Sequence, residues 1–128
     1  MNVLQLISSG LGFYGAERVV TTLSAALAKT GTRVVVAAFV NTGKTPHLEV
    51  LDVARRSGLD TNEIPCHGRF DRRAVLAIRK LVKDYSIDVI HSHDPKTNLY
   101  AYFAASGGRP GLVSTCHTWY SVSLTDDV

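Results

Sequence analysis

Five short apolar runs that alternate with helical patterns constrain the fold of this chain more than any other feature. The runs have the length of buried strands and occupy residues 3–7, 33–40, 61–66, 87–92 and 112–116. Helical patterns separate them, at residues 16–29, 45–57, 71–85 and 94–106. This order predicts an α/β domain, a Rossmann-like doubly wound parallel sheet with helices on both faces. Ligands of such sheets bind beyond the carboxyl ends of the strands.

Two helix starts are indicated by a capping residue that is followed by proline. Thr45-Pro46 and Asp94-Pro95 each place a side-chain oxygen before a residue whose missing N–H does not disturb the first turn. We therefore expect the second helix to begin at Pro46 and the fourth at Pro95.

The composition is that of one domain and excludes several classes of protein. A chain of 128 residues, 45% apolar and 20% charged, predicts a single globular domain spanning residues 1–128. Two cysteines are too few for a disulfide framework. No apolar run approaches the ~20 residues of a membrane helix, and residues 1–7 lack the basic region of a signal peptide, which predicts a cytoplasmic protein. The net charge of +3 is far from the dense basic stripe of a nucleic-acid-binding protein.

A glycine-rich stretch at residues 10–15 separates the first strand from the first helix. Its sequence, GLGFYG, matches the dinucleotide pattern G-x-G-x-x-G, and the helix start offers unpaired N–H groups to an anion. The pattern also requires an acidic residue after the second strand, and none lies between Glu17 and Glu49. A nicotinamide enzyme is therefore disfavoured, although Lys44 could serve a 2′-phosphate. An anion or polyol site and a plain turn are the other interpretations.

Three polar residues lie where ligands are expected. Glu17 is in the first turn of the first helix, where it either complements the helix dipole or accepts hydrogen bonds from ligand hydroxyls. His91 and His93 share one face of the fourth strand, because alternate strand residues point the same way. A buried structural imidazole suits His91 more than His93, which lies later, at the carboxyl edge. No C-x-x-C or H-E-x-x-H spacing occurs, so no metal site is predicted.

The end of the fifth strand and the third helix carry two further candidates. Cys116 and His117 are adjacent, so they face opposite sides of a strand and do not form a nucleophile–base pair. We expect Cys116 in the core and His117 in the cleft. The third helix has many basic residues. It forms either a solvated face or a contact with an anionic membrane surface.

Three blocks of sequence together resemble the N-terminal half of the family-4 retaining glycosyltransferases, which have the GT-B fold. The blocks are VLQLI at 3–7 followed by Gly12 and Gly15-Ala16-Glu17-Arg18, DVIHSH at 88–93 and LVSTCHT at 112–118. They stand in the family's order and spacing, and they cover essentially the whole chain. The family usually has paired glycines before Ala-Glu, whereas Tyr14 precedes Gly15 here.

The resemblance implies two Rossmann-like domains that face each other across a cleft. The N-terminal domain holds the acceptor, and the C-terminal domain holds a nucleotide-sugar donor. By analogy Gly15 contributes backbone N–H contacts near the donor diphosphate and the acceptor, and Gly12 is a further substrate-binding residue. Glu17 and Thr118 would contact acceptor hydroxyls or phosphate.

The resemblance also implies a catalytic position and a class of reaction. His117 resembles the family histidine that hydrogen-bonds the transferring sugar, and His93 would help to line the acceptor pocket. The enzyme would be hexosyltransferase-like and would retain the anomeric configuration. It would need no metal and no cofactor, since the nucleotide-sugar is a co-substrate.

The family's donor-binding half has no counterpart in this sequence. No Glu-x7-Glu pair occurs in residues 1–128, so the C-terminal domain is expected to be absent and the isolated domain inactive. The expected partners are a nucleotide-sugar donor, a glycan, lipid-linked or polyol acceptor, and the missing domain. Peripheral contact with the inner face of a membrane is also expected, and no nucleic acid. The alternatives are an NAD(P)-binding Rossmann domain of an oxidoreductase and a non-catalytic Rossmann-like binding module.

Overall fold

A computed structural model describes residues 1–8, 15–40, 48–68, 70–105 and 109–115 of the chain. Within these ranges the strands are β1 (Asn2–Ile7), β2 (Arg33–Val40), β3 (Asp60–Pro65), β4 (Val89–Ser92) and β5 (Gly111–Ser114). The helices are α1 (Gly15–Lys29), α2 (Glu49–Arg56), α3 (Arg72–Asp84) and α4 (Pro95–Ala104). The strands pair in parallel in the order β3-β2-β1-β4-β5, which confirms the predicted Rossmann-like sheet.

The sheet buries a separate hydrophobic core on each of its faces. Successive residues of β1 point to opposite sides, as the period of a strand requires. Leu4 and Leu6 join the core formed with α3 and α4, whereas Ile7 joins the core formed with α1 and α2. β2 is buried over nearly its whole length because it lies between β1 and β3 and is covered on both faces.

The predicted start of α2 at Pro46 was wrong. Leu48 has an extended backbone (φ −116°, ψ 118°) and α2 begins at Glu49. The physical reason is burial: the side chain of Leu48 is only 4% exposed and belongs to the core under α1 and α2. An apolar anchor before the helix therefore decides where α2 begins, and the cap-and-proline pattern does not.

The start of α4 at Pro95 is confirmed. The Asp94 carboxylate accepts a hydrogen bond from the Thr97 backbone N–H at 2.9 Å, and Pro95 is the first helical residue. The same kind of cap begins α3, where the Asp71 carboxylate accepts from the Arg73 N–H at 2.9 Å.

The strand order fixes where a ligand can enter. From β1 the chain moves outward to β2 and β3, then returns past β1 to β4 and continues to β5. The order therefore reverses between β1 and β4, and their carboxyl ends form the crevice that open α/β sheets use for binding. The backbone N–H of His93 donates to the Leu6 carbonyl at 3.1 Å and holds these two ends together.

Candidate functional site

The Asp94 carboxylate ties the two sides of the crevice together. One oxygen, Oδ2, accepts from the Ser8 backbone N–H at 2.7 Å, while Oδ1 accepts from Thr97 at the start of α4. The carboxylate therefore spans the end of β1 and the N-terminus of α4. The N-terminus of α4 thus already holds a negative group, as the first turn of α1 does with Glu17.

Helix α1 begins at Gly15 with open space beside its first residue. A Cβ built on Gly15 meets nothing within 4 Å, so packing within the described chain does not require glycine there. A missing side chain at a helix start allows a ligand to approach the backbone N–H groups closely. The position of Gly15 is thus compatible with the anion contact that the sequence predicted.

Glu17 is buried on the side of α1 that faces the sheet, with 7% of its surface exposed. Its backbone carbonyl accepts a hydrogen bond from the Thr21 hydroxyl at 3.1 Å. A carboxylate in this position is enclosed by the protein, in contrast to an exposed residue that only complements the helix dipole. Any ligand that reaches Glu17 does so within the layer between α1 and the sheet.

A row of polar side chains crosses the sheet beneath this layer. Gln5 of β1 and His91 of β4 are register partners. His93 Nε2 lies 2.5 Å from the Gln5 side-chain oxygen. The centroids of the His93 and His91 rings are 4.1 Å apart. His91 Nε2 in turn lies 2.5 Å from the Thr115 hydroxyl. These four residues, the polar row, connect β1 and β4 to the residue that follows β5.

We expected His91 to be the more buried of the two histidines, and the structure shows that His93 is. His93 is 2% exposed and bonded to Gln5, whereas His91 is half-buried and reaches towards Thr115. The reason is the neighbouring strand, because Gln5 of the buried strand β1 lies opposite His91 and its side-chain oxygen contacts the His93 imidazole. His93 therefore lies below the surface of the crevice.

Sequence reasoning missed Gln5. The residue is completely buried in β1, and its side-chain nitrogen has no hydrogen-bond partner among the described residues, as is also true of the Ser24 hydroxyl on the buried side of α1. Buried polar atoms normally find a partner, so such atoms mark a position to be explained. The signal in the sequence was a glutamine at the centre of an otherwise apolar strand.

Several predicted site residues lie outside the described residues. These are Gly12, Lys44, Cys116, His117 and Thr118. His117 follows the last residue of β5, Ser114, by three positions in the sequence.

A second polar cluster lies on the opposite face of the sheet, at the end of β3. The Tyr100 hydroxyl accepts from the Asp71 backbone N–H at 2.6 Å and lies 3.4 Å from the Cys66 sulfur. Burial, followed by the contact with Cys66, raises the pKa of Tyr100 to about 12. Tyr100 stays neutral at physiological pH, and this cluster joins α4 to the start of α3.

Two further findings concern metals and membranes. Within the described ranges, no three His, Cys, Asp or Glu side chains come together as metal ligands would. None of the helices in those ranges has the length and apolar character needed to cross a membrane.

The fold is a parallel α/β domain with a crevice between the carboxyl ends of β1 and β4. Residues 13–126 match the profile of Glycosyltransferase Family 4, so the chain belongs to that family. A search of curated protein sequences found no match.

Solved structures show the same fold at low sequence identity. A glycosyltransferase from Rickettsia africae has a TM-score of 0.74 and 15% identity over 97% of this chain and 31% of its own. HepE from Anabaena, solved with UDP, has a TM-score of 0.69 and 17% identity over 89% of this chain and 29% of its own. The chain spans about a third of their length. A universal stress protein solved with cAMP has a TM-score of 0.53 and 15% identity over 91% of this chain and 98% of its own.

Proposed function

We propose that this chain is the acceptor-binding half of a retaining glycosyltransferase. The enzyme transfers a sugar of the hexose type from a nucleotide-sugar to a glycan, lipid-linked or polyol acceptor. The observation that carries the proposal is the family match over residues 13–126. The chain spans 31% and 29% of two structural neighbours, which supports a second, donor-binding domain as its partner.

In this proposal, the segment at the start of α1 binds the diphosphate of the donor. Gly12 and Gly15 present backbone N–H groups to the donor diphosphate and to the acceptor. The open space beside Gly15 supports this role.

Acceptor binding and transfer use residues on both sides of the crevice. His117 hydrogen-bonds the transferring sugar, and Glu17 and Thr118 bind acceptor hydroxyls or phosphate. His93 forms the floor of the acceptor pocket, since its imidazole is buried against Gln5. In the transfer, the bond between the anomeric carbon and the diphosphate oxygen breaks, the acceptor oxygen bonds to that carbon with the same configuration, and the acceptor proton leaves with the diphosphate.

The enzyme works in the cytoplasm, at the inner face of the membrane. We propose that it uses neither a metal nor a cofactor, the nucleotide-sugar being its co-substrate. The basic exposed side of α3 supports peripheral membrane contact, since cationic helices attract anionic lipids.

A second candidate function is a stand-alone nucleotide-binding module. The likeness to a universal stress protein supports it, because that likeness covers 98% of a chain that was solved with cAMP. An oxidoreductase domain that binds NAD(P) is less well supported, since no acidic residue lies between Glu17 and Glu49.

Titration of the isotope-labelled chain with UDP, NAD⁺ and cAMP, followed by NMR, separates these functions. We expect UDP to shift the amide signals of Gly15 and Ala16 and NAD⁺ to leave them unchanged. Gly15→Ala should abolish the UDP shifts without lowering the Tm, because its methyl group enters open space and alanine favours helix. Ala16→Ser is a matched control beside it.

The same titration can refute the proposal. Saturable binding of cAMP with no response to UDP would favour the binding module. UDP shifts that persist in Gly15→Ala would remove the start of α1 from the diphosphate site.

A further inference from the structure

Gln5 interrupts the buried part of β1, whose other residues, Val3, Leu4, Leu6 and Ile7, are apolar. Its side-chain nitrogen, Nε2, has no hydrogen-bond partner among the described residues. An apolar side chain of similar shape would avoid this unpaired group, whose burial opposes folding. Packing within the described chain therefore does not explain a glutamine at this position.

The Gln5 side chain reaches past its register partner. The residue opposite Gln5 is His91, yet the Gln5 oxygen, Oε1, lies 2.5 Å from Nε2 of His93, two residues further along the chain. A carbonyl oxygen only accepts hydrogen bonds, so Nε2 of His93 donates and carries the proton. Gln5 thus selects one tautomer of His93 and restricts the rotation of its ring.

The orientation of His93 is passed along the polar row towards β5. The centroids of the His93 and His91 rings are 4.1 Å apart, with 37° between their planes. His91 Nε2 lies 2.5 Å from the Thr115 hydroxyl, and the Thr115 backbone N–H donates to the Ser92 carbonyl at 3.0 Å. Thr115 is therefore held by both its side chain and its backbone at the point where the chain leaves β5.

We propose that Gln5 is a positioning residue of the crevice, which acts through His93 and His91 on Thr115. Gln5 is completely buried, so it acts on a ligand only through other side chains, whereas Thr115 is half-buried at the end of the polar row. The meaning for sugar transfer rests on the proposed function, because acceptor contacts are assigned there to residues that follow Thr115 in the sequence. The tautomer of His93 and the position of Thr115, however, are measured without donor or acceptor.

NMR of the imidazole nitrogens and backbone amides in the isotope-labelled chain tests this role. We expect Nε2 of His93 to be protonated in the unaltered chain. Gln5→Met has a similar shape but no accepting oxygen, so it should lose this preference and shift the Thr115 amide signal. Gln5→Glu restores an accepting oxygen, so it should keep Nε2 protonated and return the Thr115 signal towards its original position.

Ser24→Ala is the matched control for these variants. Ser24 is completely buried on α1, and its hydroxyl, like Nε2 of Gln5, has no partner among the described residues. Because Ser24 lies outside the polar row, its replacement should leave the signals of His93 and Thr115 unchanged. An equal response in Ser24→Ala would show a general loosening of the core and would overturn the inference.

Two further results would overturn the inference: His93 protonated at Nδ1 in the unaltered chain, or a Thr115 signal that does not respond to Gln5→Met. Should Gln5→Met fail to fold, His91→Phe replaces it, since phenylalanine keeps a ring beside His93 but removes the contact with Thr115. This variant should shift the Thr115 signal and leave Nε2 of His93 protonated. An unchanged Thr115 signal in His91→Phe would also overturn the inference.

The response of Gly15 to UDP is a separate measurement on the same chain. A polar row that fails these tests while UDP still shifts the Gly15 amide would refute the positioning role and leave the proposed function standing. A chain with the expected His93 tautomer but no response to UDP would refute the proposed function alone.

Discussion

At the scale of single residues, burial decides what a histidine can do. His91 of β4 and His93, which directly follows β4, are two positions apart, yet His93 is enclosed and His91 is half-exposed. The difference comes from Gln5, whose side-chain oxygen holds the His93 imidazole within the sheet. His93 is therefore a buried residue beneath the crevice.

We expect replacement of His93 to lower the stability of the fold more than it weakens the binding of a ligand. We expect His93→Ala to lower the free energy of unfolding by about 2–4 kcal/mol, because it leaves a cavity and removes the partner of the buried Gln5 oxygen. His91→Ala should cost about 1 kcal/mol, since water can replace it at the half-buried Thr115. Urea denaturation of both variants measures this. A His93→Ala chain with unchanged stability would mean that the imidazole does not hold Gln5 in place.

At the scale of secondary-structure elements, α3 depends on a charged cap. The Asp71 carboxylate accepts hydrogen bonds from the backbone N–H of His67 and of Arg73, and its pKa is lowered chiefly by the His67 contact, with burial opposing. A carboxyl whose pKa is lower in the folded chain stabilises the fold fully above its unfolded value of about 4. That stabilisation is lost as the pH falls from this value through the folded pKa.

The cap predicts a measurable pH dependence. Asp71→Asn keeps an oxygen that can accept from Arg73 but removes the charge. We expect this variant to have a lower Tm than the unaltered chain at neutral pH and the two Tm values to converge below about pH 4. Thermal melting followed by circular dichroism between neutral and acidic pH tests this. A constant difference in Tm across the series would assign the stabilisation to the neutral hydrogen bonds of the cap.

At the scale of the whole molecule, β5 has the least covered surface of the sheet. All four of its residues are exposed, including Leu112 at 42% and Val113 at 49%, and it pairs only with β4 among the described strands. The central strands β2, β1 and β4 are thus better covered than β5, which lies at the edge of the described sheet. We propose that this side, with the crevice, is the part of the chain that works together with a donor-binding domain.

Transfer should require both domains. We expect the chain alone to release no UDP from UDP-sugars, and the enzyme with both domains to do so when an acceptor is present. In that enzyme His117→Ala should lower turnover strongly and change stability by no more than about 1 kcal/mol. A coupled assay of UDP release, with the Tm of the same samples, measures both. Normal turnover in a stable His117→Ala enzyme would exclude His117 from catalysis.

The sequence by itself determined the order of strands and helices and the parallel sheet. Local signals suffice for these, since hydrophobic periodicity, caps and strand–helix alternation depend on residues close in the chain. Asp94-Pro95 is such a signal, and α4 begins where it predicts. The blocks at 3–18, 88–93 and 112–118 likewise pointed to the family that the match over 13–126 confirmed.

Only the tertiary structure decided which polar residues are enclosed and which surfaces remain open. Gln5 and His93 are 88 residues apart, and only the pairing of β1 with β4 brings them into contact. Leu48 is extended and α2 begins after it, at Glu49, because a core to which other elements contribute buries the Leu48 side chain. Contacts between residues distant in the chain depend on strand order and packing, and neither can be obtained from any short stretch of sequence.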